Sequence, residues 1–319
     1  MSKKEFLKPF FTWLLIFVVV LTPAGYFFER LGGIRVFQGT ENLMKDMDVL
    51  VDPNSPFFEA FRDSQRVNVL LLGVNGGLTD TIMLGSYDME HQRVDVISVP
   101  RDTYYDRSDA QSAGAKKINA IYRNGGAVGT AEAVSDVLMG IPIHYYMVVS
   151  YEGIGRIVDS MGGVPMDIPF HMYYNDPTDD PPLHIDIPEG PTIIDSSNVK
   201  EFLRFRKGSK GYPGYTEGDI GRVKAQQEFI KSAFRESLGF GLPKVARTVM
   251  RNVDSDLTLS MAVAIAKRAV GLTGESIETY LTPGASGTKN GASYWWVDEQ
   301  AVEEMLMDIY SISDDNSIE

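Results

Sequence analysis

The end of one predicted strand carries an arginine and an aspartate, and these are the side chains in the sequence best suited to chemistry. Alternating and β-branched residues over 94–99 predict the strand, and Pro100 cannot continue its hydrogen-bond ladder. Arg101 and Asp102 are therefore presented where the strand ends. The pair suits a phosphorylated substrate, because a guanidinium binds phosphate oxygens while a carboxylate orients it or holds a metal. The alternative is a structural ion pair at a turn.

Three further arginines flank the start of a predicted helix: Arg204, Arg206 and Arg222. Arg222 and Gln226 are four residues apart, so they share a helix face near the N-terminus, where free N–H groups attract anions. With Arg101, these residues predict four guanidiniums that converge on a polyanion such as pyrophosphate. The alternative is that they are surface arginines paired with nearby carboxylates: Glu201, Glu217 and Glu228.

Asp80 lies just before a strand predicted over 81–84, where its carboxylate could ligate a hard cation together with water and phosphate oxygens. Aspartate is also common at the turn that precedes a strand, which is the structural alternative. The four histidines are scattered along the sequence, so they do not indicate a zinc site. The sequence contains no Gly-x-Ser-x-Gly motif and no P-loop, so it does not support a serine hydrolase or a nucleoside triphosphatase.

The composition indicates a folded protein that does not bind nucleic acid. The chain has 319 residues, of which 44% are hydrophobic, and this is enough to bury one large core or two modest ones. The formal net charge of -13 argues against a general nucleic-acid binder, which needs Lys and Arg to displace counterions from phosphates. The absence of cysteine excludes disulfides, thiolate metal sites and cysteine nucleophiles.

An uncharged segment over 10–28 predicts a transmembrane helix, because a helix of that length spans roughly 28 Å of hydrocarbon. Lys3, Lys4 and Lys8 precede this segment, so the positive-inside rule places residues 1–9 in the cytoplasm and the bulk of the chain outside the membrane. The aromatic residues over 26–28 also favour an anchor. The alternative is a cleaved signal peptide.

Strands and helices alternate over 67–319 and predict one α/β domain, a three-layer α/β/α arrangement with a mixed central sheet. A Gly-, Pro- and acid-containing stretch over 29–66 predicts a juxtamembrane spacer. The predicted strands cover 67–72, 81–84, 94–99, 144–149, 164–168 and 277–281. The predicted helices cover 127–138, 153–161, 196–205, 223–238, 259–270 and 297–310, and an acidic, proline-containing loop is predicted over 176–182.

Six motifs occur in the order and spacing of one protein family: Val69–Val74 with Thr79-Asp80-Thr81, Ile97–Thr103, Lys117–Ala120, Val158–Val164, Arg204-Phe205-Arg206, and Gly218–Arg222 with Gln226-Gln227. From about residue 67 to the end of the sequence they closely resemble the LytR-CpsA-Psr family. Six motifs in register are far more specific than any one of them. The predicted topology of cytoplasmic tail, membrane helix and outer domain also resembles that family.

The resemblance implies a phosphotransferase of the bacterial cell membrane. Its domain outside the cell would take an anionic glycopolymer, teichoic acid or capsular polysaccharide, from a polyprenyl pyrophosphate carrier and attach it to a sugar hydroxyl of peptidoglycan. An apolar cavity for the lipid is expected between the sheet and its helices. Neutralising and positioning the phosphates is the main task of a protein in such a reaction.

The resemblance also implies a role for each site residue. The pyrophosphate would be bound by four arginines with help from a lysine and a glutamine: Arg101, Arg204, Arg206, Arg222, Lys117 and Gln226. Asp102 and Asp219 would support the arginines as members of the catalytic set. Asp80 and Asn75 would hold Mg²⁺.

Three positions depart from the family pattern. Asn75 stands where the family usually has a second metal-binding aspartate, and Leu78 and Ala225 stand where arginines are common. Two readings therefore stay open: an active ligase, and a weak or inactive homologue that binds the lipid pyrophosphate or the glycopolymer as a cell-wall scaffold or regulator. A lipid pyrophosphatase is a third, smaller alternative.

Overall fold

A mixed six-stranded sheet lies at the centre of the part of the chain that the structure, a computed structural model, describes: residues 55–108, 110–179, 182–209, 211–240 and 242–311. The strands of this part, numbered in chain order, are β1 (Arg66–Asn75), β2 (Leu78–Asp88), β3 (Arg93–Ser98), β4 (Tyr145–Val149), β5 (Val164–Ile168), β6 (Met172–Asp176), β7 (Leu183–Ile187), β8 (Gly190–Ile194), β9 (Asp254–Ser255), β10 (Ile277–Leu281), β11 (Gly284–Lys289) and β12 (Ala292–Val297). The central sheet has the order β10-β3-β2-β1-β4-β9. Strands β10 and β3, and β1 and β4, pair in parallel, and the other neighbours are antiparallel.

The helices of the described part are α1 (Phe58–Asp63), α2 (Tyr122–Val137), α3 (Tyr151–Asp159), α4 (Val199–Arg204), α5 (Asp219–Phe240), α6 (Leu242–Met250), α7 (Leu259–Arg268) and α8 (Glu299–Tyr310). Three of them begin at a residue whose side chain accepts a hydrogen bond from the first turn: Ser150 for α3, Thr258 for α7 and Asp298 for α8. These caps set the helix starts, because each satisfies a backbone N–H that has no partner within the helix.

Apolar side chains of β1 leave the sheet alternately toward two helical layers. Leu70 and Leu72 are fully buried in the core that the sheet forms with α1, α2 and α8. Leu71 points the other way and packs with Ile230 and Phe234 of α5. This period of two is the geometry of a pleated strand that is covered on both faces. The predicted α/β class with a mixed central sheet is confirmed.

A second apolar cluster lies beside the sheet and positions part of the site. It joins α3, α4 and α5 to two two-stranded antiparallel sheets, β5 with β8 and the hairpin β6 with β7. Its centre includes Phe205, which is fully buried and packs edge-on against Tyr215. Since Phe205 lies between Arg204 and Arg206, its burial fixes the backbone from which both arginines project.

Two hairpins were not predicted from the sequence. The predicted loop over 176–182 connects the strands of one of them, β6 and β7. Strands β11 and β12 form the other, and the final helix starts after it, at Glu299 rather than at residue 297. Strand β11 has the sequence Gly-Ala-Ser-Gly-Thr-Lys, which lacks the large β-branched and aromatic residues that mark a strand.

The folded region begins before residue 67, so the predicted spacer over 29–66 is too long at its C-terminal end. Phe57 and Phe61 are buried in the core with α2 and α8, and their rings stack 5.4 Å apart. The predicted transmembrane helix over 10–28 lies outside the described residues. Among the residues that are described, no helix combines the length and apolar character that crossing a membrane requires.

Candidate functional site

The end of β3 and the start of β2 lie at the same edge of the sheet, because the two strands are antiparallel and Met83 pairs with Ser98. This topology brings Arg101 to Asp80, with 2.7 Å between Nη1 and Oδ1. The register of β1 on β2 shifts between Gly73 and Val74, just before the hairpin that carries Asn75. Such irregularities redirect a strand end, and here the redirected end lies beside Asp80 in the wall of a cavity.

This cavity, the arginine cavity, has a volume of about 400 Å³. The described residues that line it are Asn75, Asp80, Arg101, Tyr174, Asp176, Asp179, Leu183, Arg204, Arg206, Lys207 and Arg222. Five of these carry cations and three carry carboxylates, so the lining favours an anionic ligand. The cavity brings together all four predicted arginines, with Asp80 and Asn75.

Asp219, at the first position of α5, lies among three of these arginines. Its Oδ1 is 2.9 Å from Nη2 of Arg222, 3.6 Å from Nη2 of Arg101 and 3.9 Å from Nη1 of Arg206. One carboxylate is therefore within ion-pair distance of three guanidiniums while it neutralises only one charge. The supporting role of Asp219 in catalysis stays a prediction.

The surface-pairing alternative does not describe Arg204 and Arg222, whereas the side chain of Arg206 is 44% exposed. Arg204 pairs with Asp179 at 2.7 Å, and Arg222 is only 5% exposed. Two of the neighbouring glutamates pair with lysines instead, Glu217 with Lys224 and Glu228 with Lys231. The arginines thus face the cavity and aspartates, and two of the three expected glutamates serve other cations.

Burial and neighbouring charge act differently on the two innermost arginines. Burial and the positive charge of Arg101 lower the pKa of Arg222. Burial also disfavours the charged form of Arg101, but the carboxylates of Asp219, Asp80 and Asp102 outweigh it and raise the pKa of Arg101. In the described part of the chain, the Nε atoms of Arg101 and Arg222 are buried and have no hydrogen-bond partner. An anion in the cavity would relieve the repulsion between these guanidiniums.

An apolar cavity of about 330 Å³ lies near the arginine cavity, and the two have no lining residue in common among those described. Its walls come from β1, β2, β4, α3, α5 and α6, and include Leu71, Met83, Met147, Ile154, Val158, Phe229, Ile230 and Phe234. Tyr151 connects the two cavities, because it lines the apolar one while its hydroxyl donates to Oδ2 of Asp80 at 3.2 Å. Burial and the charge of Asp80 raise the pKa of Tyr151, which keeps this hydroxyl protonated.

Four predicted site residues do not line the arginine cavity; one of them, Asp219, still contacts three of its arginines and lines a separate cleft. Gln226 lines the apolar cavity, and its Nε2 donates to the carbonyl of Leu203 at 3.0 Å. Asp102 and Lys117 pair with each other at 2.9 Å and line the same cleft as Asp219. Asp102 nevertheless acts on the site electrostatically, because it helps to raise the pKa of Arg101.

Several residues of the site were not identified from the sequence: Tyr151, Tyr174, Asp176, Asp179 and Lys207. Asp176 and Asp179 belong to the acidic stretch over 176–182 that the sequence predicts to be a loop. The sequence shows that these residues are charged but does not predict that they line the cavity. Tyr151 has no sequence signal beyond its place after the helix cap Ser150.

Asp80 and Asn75 offer a carboxylate and an amide oxygen to a hard cation. Among the described residues, no three His, Cys, Asp or Glu side chains form a metal-binding group. Mg²⁺ in phosphoryl-transfer sites often uses only one or two carboxylates and takes its other ligands from water and substrate phosphate. The two oxygen donors at the rim of an anion-binding cavity fit that mode of binding.

Comparison with known proteins agrees with this fold. A family model described as the LytR_cpsA_psr family matches residues 37–309. The polyisoprenyl-teichoic acid–peptidoglycan teichoic acid transferase TagU of Oceanobacillus iheyensis is 25% identical over 96% of this chain and 95% of its own length. TagV of Bacillus subtilis, which has the same kind of name, is 25% identical over 66% of this chain, and the match spans only 52% of its own length.

Solved structures show the same fold at lower sequence identity. The crystal structure of B. subtilis TagV matches 78% of this chain and 98% of its own chain, with a TM-score of 0.62 and 21% identity. A Streptococcus agalactiae protein matches 83% of this chain and 94% of its own, with a TM-score of 0.65 and 21% identity. Because the family model covers most of the sequence, the chain belongs to the LytR-CpsA-Psr family.

Proposed function

We propose that this chain is a phosphotransferase that moves an anionic glycopolymer from a polyprenyl pyrophosphate carrier to a sugar hydroxyl of peptidoglycan. Teichoic acid and capsular polysaccharide are the polymer classes considered, and the two relatives named as teichoic acid transferases favour the first. The observation that carries the proposal is that the two cavities are neighbours: Tyr151, which lines the apolar cavity, donates to Asp80, which lines the arginine cavity. A lipid pyrophosphate has a doubly charged head, which suits the arginine cavity, and an apolar tail, which suits the apolar cavity.

The arginine cavity would bind the pyrophosphate. Arg101, Arg204, Arg206 and Arg222 line it, and charge-assisted contacts of guanidiniums with phosphate oxygens are about twice as strong as neutral hydrogen bonds. Asp219 hydrogen-bonds Arg222 and Asp80 hydrogen-bonds Arg101 before the ligand arrives, so these two side chains lose less freedom on binding. The first isoprene units would enter the apolar cavity past Tyr151.

The reaction in this proposal is a substitution at phosphorus. The acceptor hydroxyl oxygen bonds to the phosphorus that carries the glycopolymer, and the bond from that phosphorus to the bridging oxygen breaks. Polyprenyl monophosphate leaves, and the hydroxyl proton passes to a carboxylate beside the arginines, for which Asp102 and Asp219 are the candidates. The guanidiniums stabilise the charge that develops on the phosphate oxygens, which is the main catalytic demand in phosphoryl transfer.

Mg²⁺ is part of the proposal as a cofactor held by Asp80 and Asn75. When bound, it would neutralise charge on the pyrophosphate oxygens. The Asp80 carboxylate already accepts from Arg101 and Tyr151, so it positions those two side chains whether or not a cation is present.

The proposal also places the chain in the cell membrane. Residues 10–28 would form a single span, with residues 1–9 in the cytoplasm and the family domain outside the cell. This orientation gives the domain access to a lipid-linked donor in the membrane and to peptidoglycan beyond it.

The test is a transfer assay with the full chain in detergent or vesicles. The substrates are a polyprenyl pyrophosphate-linked teichoic acid precursor and peptidoglycan oligomers, with and without Mg²⁺, and the readout is glycopolymer covalently attached to the oligomer. Arg101→Ala is expected to remove most of the transfer. Arg235→Ala is the matched control, because Arg235 is an exposed arginine of α5 that lines neither cavity. Binding of the donor without transfer would favour the scaffold alternative, and release of polymer without an acceptor would favour a lipid pyrophosphatase.

A further inference from the structure

A second cleft, of about 360 Å³, lies on the other side of Arg206 and Asp219 from the arginine cavity. The described residues that line it are Pro100, Asp102, Lys117, Arg206, Glu217, Gly218, Asp219, Ile220, Ser286, Ser293, Tyr294 and Trp295. Arg206 lines both spaces, and Asp219 lines the cleft while it contacts three arginines of the cavity. A ligand in this cleft would therefore share Arg206 with a pyrophosphate in the cavity and would lie beside Asp219, which pairs with three of the cavity's arginines.

The cleft has a different charge balance from the arginine cavity. Its described lining carries two cations, Lys117 and Arg206, and three carboxylates: Asp102, Glu217 and Asp219. The arginine cavity has five cations and three carboxylates. A balanced lining does not select an anion, whereas carboxylates and hydroxyl groups are suitable partners for the hydroxyls of an uncharged sugar. The hydroxyls of Ser286 and Ser293 add two such groups.

The wall formed by hairpin β11–β12 is held in place before any ligand binds. The backbone of Trp295 donates to the carbonyl of Asp102 and accepts from the N–H of Tyr104, both at 2.9 Å. Its indole Nε1 donates to the carbonyl of Thr282 at 3.1 Å. On the opposite face of the hairpin, the ring of Trp296 stacks on Tyr104 with centroids 4.5 Å apart. These contacts tie the hairpin to the loop that carries Arg101 and Asp102.

We propose that this cleft binds the acceptor, an uncharged amino sugar of a glycan strand, and presents its hydroxyl to the phosphate across Arg206 and Asp219. The inference rests on the proposed transferase function, because an acceptor is needed only if the polymer is transferred to a sugar. It assigns Asp102 and Lys117 to the acceptor side of the site, whereas the sequence prediction placed both at the pyrophosphate.

In the test, a bulky side chain fills the cleft while none of the arginines is substituted. Ser286 is exposed on the hairpin face that lines the cleft, so Ser286→Trp fills it, and Ser293→Trp is an independent second variant. Ala285→Trp is the matched control, because Ala285 is also exposed but points to the opposite face of β11. Each full-length variant is assayed for binding of an uncharged N-acetylglucosamine tetramer, for binding of polyprenyl pyrophosphate, and for the acceptor KM in the transfer assay.

The expected result is that both serine variants weaken binding of the tetramer and raise the acceptor KM, each by roughly tenfold or more, as loss of a binding subsite does. Their affinity for polyprenyl pyrophosphate and all properties of Ala285→Trp should stay within about twofold of the wild type. If the wild type binds the lipid and transfers polymer but the serine variants keep its acceptor KM, the cleft assignment is wrong and the transferase proposal stands. If the wild type does not bind the lipid, the transferase proposal fails, while the tetramer assay still decides whether the cleft binds a sugar.

Discussion

The strands β1, β2 and β3 carry clusters of arginine and aspartate at both of their ends, and the two clusters are built differently. At the end away from the arginine cavity, Arg66 donates to Asp95 at 2.6 Å and pairs with Asp88 at 3.2 Å, and Arg93 pairs with Asp95 at 2.7 Å. Arg66 also donates to the carbonyl of Ile309 at 2.7 Å, which ties the sheet to α8. We call these four charged residues the buried network.

The buried network and the arginine cavity differ in their charge balance and in how accessible their charges are to a ligand. The buried network has two arginines and two aspartates, and Arg66 is 4% exposed with its hydrogen bonds directed to protein atoms. The arginine cavity has more cations than carboxylates and open volume in front of them. Balanced and enclosed charges stabilise the fold or its uniqueness, whereas an excess of charge that faces a cavity is suited to a ligand. Residue type alone does not separate the two, since both contain Arg-Asp pairs.

The comparison predicts the largest loss of stability when an arginine is removed from the buried network. Arg66→Ala removes from the buried Asp95 one of its two arginines and from Asp88 its arginine partner, so the free energy of unfolding should fall by about 3–5 kcal/mol. Denaturant unfolding of the purified protein measures this loss. Arg206→Ala is the control and should stay close to the wild type, because its side chain is half-exposed and its contact with Asp219 is 3.9 Å long. Equal stability losses in the two variants would contradict the comparison.

A second stability effect should depend on pH. His144 is buried beside the start of β1, where its Nδ1 accepts from the N–H of Asn68 at 2.9 Å, and burial lowers its pKa to about 4. In the unfolded chain a histidine titrates near 6.5, so between these values the unfolded state binds more protons. The stability contribution of His144 is therefore complete above about pH 6.5 and is lost as the pH falls to about 4, by about 3 kcal/mol at most.

His144→Asn tests this dependence, because the amide oxygen can still accept from Asn68 but does not titrate. The free energy of unfolding should depend less steeply on pH in the variant than in the wild type over that range. Identical slopes in the two proteins would show that His144 does not titrate differently on folding.

At the arginine cavity the expected effect is on binding rather than on stability. Arg206→Ala should weaken binding of polyprenyl pyrophosphate by roughly tenfold or more, since a charge-assisted contact contributes about 1.5–3 kcal/mol. Titration calorimetry in detergent measures the affinity, with Arg235→Ala as the matched control. An unchanged affinity would show that Arg206 does not bind the pyrophosphate.

The smallest expected effect concerns the departure from the family pattern at Asn75. Asn75→Asp adds a negative charge beside Asp80, which should tighten Mg²⁺ binding and raise transfer at low Mg²⁺. Mg²⁺ titration of wild type and variant measures the change, and Asp80→Ala should abolish both properties. If Asn75→Asp has the affinity of the wild type, Asn75 does not face the cation and the proposed metal site is wrong.

The sequence predicts six of the twelve strands in the described part of the chain, because those six have local strand patterns. Val164–Ile168 and Ile277–Leu281 have the predicted bounds, since apolar or alternating residues between turn signals identify a strand. The β11–β12 hairpin was missed because its strands are held by pairing and by contacts with Tyr104, not by strand propensity.

The position of a charged residue is harder to predict than its presence. Asp95 lies inside an apolar strand, and a charge there could have indicated the buried network, but its partner Arg66 precedes it by 29 residues. Asp102 follows Arg101 directly, yet it pairs with Lys117 in the second cleft. Arg101 and Asp102 are the two central residues of a turn closed by the N–H of Thr103 and the carbonyl of Pro100, and they have different partners, so neighbouring charges in a motif need not share a ligand.

The central claim is that the arginine cavity and the apolar cavity form one site for one amphipathic ligand. The most direct test compares the affinities of the wild type for polyprenyl pyrophosphate, inorganic pyrophosphate and polyprenol under the same detergent conditions. The account predicts that the lipid pyrophosphate binds at least roughly tenfold more tightly than either part alone, because only it occupies both cavities. Inorganic pyrophosphate that binds as tightly as the lipid pyrophosphate would contradict the claim, since the apolar cavity would then contribute nothing to recognition.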